Sequence, residues 1–177
     1  STVKQPSRLV RFSDTPVNNP LPPASYDTPI EEIVTRWSQS ARKVENPQKR
    51  KPLQGIRVLD LTWVLAGPFA TRMLAELGAD VVRLQNEGSS TVVNSPDHPF
   101  YFVWGRGKRS ITLNMKHELA LKVLKPLIEK SDVLIENYSA GVLDRWGLDW
   151  ETLHQWNPKL VYVTMSGCGH DGPWKHV

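Results

Sequence analysis

Residues 131–145 read SDVLIENYSAGVLDR, and this stretch decides the fold. Asp132–Ile135 is a short apolar run of β type, closed by the polar residues Glu136 and Asn137 and then by small residues. A short helical segment carrying Arg145 follows. A strand that runs out into polar and small residues and then into a helix is one strand of a parallel sheet, opening at its carboxyl end. In doubly wound α/β folds, small molecules bind in the crevice outside those ends.

Upstream, the same texture repeats. Ile56–Leu61 reads as a strand and Trp63–Gly67 as a loop. Pro68 opens a helix to about Leu77, with Phe69, Met73, Leu74 and Leu77 facing inward, and Gly78 stops it. Asp80–Leu84 is the second strand, and Asn86–Pro99, rich in turn residues and without period, is a long loop. Phe100–Val103 reads as a strand, Lys108 and Arg109 as a solvated turn by their spacing, and Ser110–Leu113 as a further strand. Asn114 is a candidate cap for a helix running to about Lys130, with Leu121, Leu124, Leu127 and Ile128 inward and Pro126 expected to kink or shorten it.

Downstream, a short helix lies near Leu143, Asp149 caps a helix over Trp150–Trp156, and Leu160–Met165 is the last strand. Alternating strands and amphipathic helices give a Rossmann-like parallel α/β sheet over 52–177, left incomplete after that strand. An edge strand without its covering helix implies a larger polypeptide.

Residues 1–51 differ. They hold seven of the fourteen prolines and nine Lys/Arg against five Asp/Glu, whereas residues 52–177 hold thirteen of each. The stretch reads as a Pro-rich basic tail and linker whose one helical segment is Thr28–Lys43, with Pro29 at its start and Ile30, Ile33, Val34 and Trp37 on one face. Because the excess charge sits in this tail and the rest is neutral, nucleic acid is not an expected partner. No run of about 18 apolar residues suggests a membrane span, STVKQPSRLV lacks an apolar core of secretory type, so no signal peptide is expected, and a single cysteine, Cys168, fits a reducing, cytoplasmic setting.

Four segments in order, PLQGIRVLDLTWVLAGPFATRMLAELGADVV (52–82), GRGKRSITLNMK (105–116), SDVLIENYSAGVLDRWGL (131–148) and NPKLVYVTMSGCGHDGP (157–173), resemble the family III CoA-transferases. The resemblance implies a Rossmann-like large domain, interlocked homodimers, and acyl-CoA and a small carboxylic acid as substrates. It implies CoA contacts at Val64, Leu65 and Ala66; at Leu113, Asn114, Met115 and Lys116; at Asn137, Tyr138 and Ser139; and at Arg145. Lys116 and Arg145 suit phosphate oxygens, Tyr138 and Leu113 offer apolar surface, and small residues at a helix start let a ligand approach open amides. The family often has a basic or proline-containing run after the second strand, where this chain has Gln85, Asn86 and Glu87.

The family nucleophile is an aspartate that attacks the thioester, and its expected place lies past Val177, so no catalytic residue is assigned and neither Asp60 nor Asp171 takes that role. No metal is expected, since His98, His117 and His154 lack ligand spacing. RLVRFSDTPVNNPLPPASYDTPIEEI (8–33) resembles the closing segment of the same family, so residues 1–51 are either a tail or the end of a preceding repeat. Three functions stay open: a CoA-transferase portion, an α-methylacyl-CoA racemase of similar sequence, and a non-catalytic CoA-binding or assembly module. Each candidate also has a plain structural reading: Asn137 as a polar strand end bonding to backbone, Tyr138 as packing, Arg145 as a helix cap, and His170 with Asp171 as a turn.

Overall fold

Eleven elements follow one another in the computed structural model, which describes residues 28–39, 51–86 and 98–167, together with Gly169 and Lys175. They are α1 (Ile30–Gln39), β1 (Arg57–Leu61), α2 (Ala66–Glu76), β2 (Asp80–Asn86), α3 (Pro99–Trp104), β3 (Lys108–Leu113), α4 (Ala120–Lys130), β4 (Val133–Glu136), α5 (Val142–Arg145), α6 (Trp150–Trp156) and β5 (Val161–Thr164).

The five strands form one parallel sheet in the order β3-β2-β1-β4-β5. This is the expected α/β class, a parallel sheet flanked by helices. The strand order reverses beside β1, whose register sets Leu61 against Glu136 on one side and Asp60 against Arg83 on the other. The crevice at such a reversal is the ligand position of doubly wound folds, and here it is bounded by the loops after β1 and β4.

Alternation along the strands sorts side chains onto two faces. Leu59, Leu61, Val82, Leu84 and Leu134 share a core with Ile33 and Trp37 of α1, Leu124, Leu127 and Ile128 of α4, and Leu153 of α6. Val58, Val81 and Ile135 face the other way and pack with Ala75 of α2 and with Ala79. Helix α1, inside the stretch read as tail, is thus part of the main core; its Trp37 indole donates to Asp80 at 2.9 Å. The Asn157 side chain donates to the Ile128 and Ser131 carbonyls at 2.9 and 2.8 Å, tying the end of α6 to the end of α4.

Several local expectations are corrected. Phe100–Val103 belongs to helix α3, opened by Pro99 and by the His98 side chain accepting from Phe100 N; its aromatic, β-prone composition yields to those start signals. β3 begins at Lys108, so Lys108 and Arg109 are not a solvated turn. Asn114 does not cap α4: its side-chain oxygen accepts from Lys116 N in a local turn, and the helix starts only at Ala120. Pro126 neither ends nor shortens α4, which runs on to Lys130; the carbonyl left without its N–H partner belongs to Lys122, an exposed residue where water can serve.

Helix α2 begins at Ala66, two residues early, and turns a different face inward: Thr71, Arg72 and Ala75 are buried, while Phe69 is exposed. The sheet beneath its first turns is ionic, which draws polar side chains down. Gly78 does end the helix, at φ +105°, a backbone angle open to glycine. Cys168, His170 and Asp171 lie outside the described residues, as do the segment 8–27 and residues 40–50 and 87–97.

Candidate functional site

At the carboxyl edge, β1 leads into a loop pinned from three directions. Asp60 is fully buried and its Oδ1 accepts from Thr62 N at 2.9 Å and Thr62 Oγ1 at 2.5 Å. Its Oδ2 accepts from Thr71 Oγ1 at 2.6 Å and Lys108 Nζ at 2.9 Å. Lys108 also donates to the Pro68 carbonyl at 3.0 Å and to Thr71 Oγ1 at 2.6 Å, so its ammonium uses all three protons. One ion pair therefore bolts the first turn of α2 to β1 and β3.

The electrostatics follow from that burial. Burial raises the Asp60 carboxyl, yet Lys108 and the hydroxyls of Thr62 and Thr71 outweigh it and hold the group below the usual carboxylate range. Burial depresses the Lys108 ammonium, helped by Arg83 and Arg72 and opposed by Asp60. Both oxygens of the Asp60 carboxylate are thus engaged within the fold.

The second pin is Asn137. Its Oδ1 accepts from Trp63 N at 2.8 Å and its Nδ2 donates to Trp63 O at 2.9 Å. The third is close packing at Gly67, where an added Cβ would lie 2.6 Å from Thr62 Cγ2 and 3.0 Å from Asn137 Cγ. Between these fixed points Val64 takes φ +65°, the one non-glycine residue with positive φ among those described. For a β-branched residue that conformation is a true outlier.

The residues named from the resemblance divide by position. Val64, Leu65 and Ala66 are exposed after β1, and no side chain caps the α2 N-terminus that they enter. Lys116 is exposed after β3, Ser139 after β4, and Arg145 ends α5, exposed as well. Asn137 and Tyr138 are half-buried at the end of β4, and Asn114 is exposed. Leu113 is partly buried against the main core, and Met115, 7% exposed, has its side chain inside it.

Tyr138 lies between two tryptophans. Its ring stacks on Trp63 at 6.2 Å and 14°, and Trp146 meets it edge-on at 5.1 Å. Its backbone N donates to Glu136 Oε2 at 2.6 Å. Burial first, then the carboxylates of Asp60 and Glu136, push its phenol up to about 12. The exposed aromatic surface at the crevice is therefore offered by Trp63, with Tyr138 backing it.

Sequence reasoning missed Lys108, Thr71 and Gly67. One signal was available: Asp60 interrupts the apolar strand Ile56–Leu61 of a sheet with helices on its faces, and a carboxylate buried there requires a buried cation. Among the described residues no group of three or more His, Cys, Asp or Glu could hold a metal. No described helix is long and apolar enough to cross a membrane.

Comparison with known proteins bears on this edge. The family described as CoA-transferase family III matches residues 53–177. The formyl-CoA:oxalate CoA-transferase of Streptomyces avermitilis is 43% identical over 130 residues, covering 70% of this chain and 32% of that protein. The succinate–glutarate CoA-transferase of Agrobacterium fabrum is 40% identical over 141 residues, covering 72% and 35%. A solved CAIB/BAIF family protein from Brucella suis superposes with TM-score 0.62 at 34% identity, covering 72% of this chain and 36% of that one. The chain thus spans about a third of the length of the relatives it matches.

Proposed function

The chain belongs to CoA-transferase family III, and we propose that its carboxyl sheet edge is the CoA-binding portion of an enzyme moving CoA between an acyl-CoA and a carboxylic acid. The observation that carries the reading is convergence. Val64–Ala66 follow β1, Lys116 follows β3 and Asn137–Ser139 follow β4, so three segments bring them to the carboxyl ends of one parallel sheet, with Arg145 at the end of α5 beyond β4.

The donor set fits the ligand. Two exposed cations, Lys116 and Arg145, match the charge of CoA phosphates. The uncapped start of α2 presents amides and a favourable dipole to an anion or a thioester oxygen, and Trp63 supplies a flat apolar wall for the pantetheine arm or adenine.

Catalysis then needs a carboxylate nucleophile from outside the described residues. An aspartate attacks the thioester carbonyl, CoA leaves as thiolate, and a mixed anhydride forms. The thiolate attacks the aspartyl carbonyl, releasing the donor acid. The acceptor carboxylate attacks the resulting aspartyl thioester and expels CoA thiolate, forming a second mixed anhydride; the thiolate then attacks the acceptor's carbonyl, which gives the new acyl-CoA and releases the aspartate. The acids in the names of the two relatives, oxalate, formate, succinate and glutarate, define the substrate class to try first. The holoenzyme is expected to be a homodimer.

The test is calorimetry of the full-length protein with CoA. Removing one charge-assisted phosphate contact costs ~1.5–3 kcal/mol, so Lys116→Ala and Arg145→Ala are each expected to weaken CoA about tenfold or more. No heat at millimolar CoA, or unchanged affinity in both variants, refutes the reading. Binding accompanied by deuterium uptake at the acyl α-carbon without an acceptor acid would reassign the chemistry to a racemase.

A further inference from the structure

We propose that Asn137 is a positioning residue: its side chain holds Trp63 so that Val64 stays in a left-handed conformation and presents the 64–66 loop to the crevice. The inference rests on the CoA reading only for what the loop binds.

The amide group of asparagine has the shape and polarity of a peptide unit. The parallel ladder between β1 and β4 ends at Leu61 and Glu136. One residue past the end of β4, Asn137 supplies from its side chain two bonds in place of a further rung, accepting from Trp63 N and donating to Trp63 O. With those two bonds made, its oxygen keeps one lone pair and its nitrogen one hydrogen for anything else. The ladder is prolonged by one step just where the two backbones diverge.

That step holds strain. A β-branched residue at φ +65° persists only where neighbours over-determine it. On the upstream side of Val64 are the Trp63 backbone, gripped by Asn137, and Thr62, gripped by Asp60. On the downstream side is Gly67, which lies against Asn137 itself. Asn137 thus bonds one end of the strained segment and stands beside the other, whereas no other described side chain bonds Trp63. Releasing it allows Val64 to return to the β or right-handed region, moving Leu65 and Ala66 with it.

This makes a prediction that a direct contact does not share. Glycine accepts positive φ without a Cβ penalty, so Val64→Gly removes the strain that Asn137 opposes. Asn137→Ala alone is expected to weaken CoA about tenfold, and Val64→Gly in that background to restore affinity to within about threefold of the parent. If Asn137 bonded the ligand itself, Val64→Gly would leave the loss untouched.

A ligand-free arm keeps this apart from the CoA reading: the φ angle of residue 64 in a crystal structure of the full-chain Asn137→Ala variant. Departure from the left-handed region is expected, and retention of it overturns the proposal whatever CoA does. Departure of Val64 in a protein whose parent gives no heat with CoA sinks the ligand assignment and leaves the positioning role standing. A tenfold loss that Val64→Gly does not rescue makes Asn137 a ligand contact.

Discussion

Lys108→Met is the most demanding perturbation of the described network. It keeps the length of the side chain and removes the one ammonium facing Asp60, with both side chains at 0% exposure and 2.9 Å apart. The Asp60 carboxylate would keep its bonds from Thr62 and Thr71, but the Pro68 carbonyl would lose a donor. Breaking a buried pair by removing one partner costs ~3–5 kcal/mol, because a buried charge is left uncompensated. Glu129→Gln is the internal contrast. It breaks the Lys125–Glu129 pair, 3.9 Å apart with side chains 49% and 44% exposed, where the cost is ~0.5 kcal/mol or less. Urea unfolding of the full chain, followed by tryptophan fluorescence with the slope held common, reads both values. At ~2–4 °C per kcal/mol for a domain of this size, the Lys108 variant should also melt roughly 10 °C lower. Adding Asp60→Asn should recover much of the loss, since the remaining partner is then neutral. A cost below about 1 kcal/mol for Lys108→Met, or no recovery in the double variant, would refute the description of a dry ion pair clamping α2.

Gly67→Ala forces a Cβ to within 2.6 Å of Thr62 Cγ2 and against Asn137, and overpacking of that kind costs ~1–3 kcal/mol; a melting curve unchanged from the parent would show the contact to be slack. Acid stability should follow Asp60. Its folded carboxyl titrates below the unfolded one, so its stabilisation is complete above the usual carboxylate range and is lost as pH falls through the lowered value. Asp60→Asn should therefore flatten the acid limb of stability against pH, and an identical limb would assign it to other groups. In ultraviolet titration, Tyr138→Phe should leave the ionisation amplitude near pH 10 unchanged, because the phenol is held protonated up to about 12; a lost step at pH 10 would mean that the ring is open to water.

Periodicity reached most of the fold. The strand at Val133–Glu136, the Asp149 cap of α6, the Gly78 stop and the order of β and α segments are local signals, written in patterns of a few residues. Local signals also misled. The aromatic run at Phe100–Val103 has β composition but lies behind a helix-opening Pro99, and Asn114 spends its side chain on its own turn rather than on α4. Of the candidate site, the exposed residues Val64–Ala66, Lys116, Ser139 and Arg145 were named from the family resemblance, whose motifs fall at strand ends.

The sequence by itself determined the class of the fold and which strand ends open into polar loops, because hydrophobic period and turn chemistry are short-range properties. Only the tertiary structure decided the roles. Lys108 became a buried partner of Asp60, 48 residues away, because β3 lies two strands from β1 and burial on both faces leaves a charge no water to turn to. Asn137 became a rung for Trp63, 74 residues distant, and Val64 a strained residue, because those roles exist only where two strands part at the reversal of the sheet order. A partner that is distant in sequence and chosen by burial leaves no periodic trace in the chain.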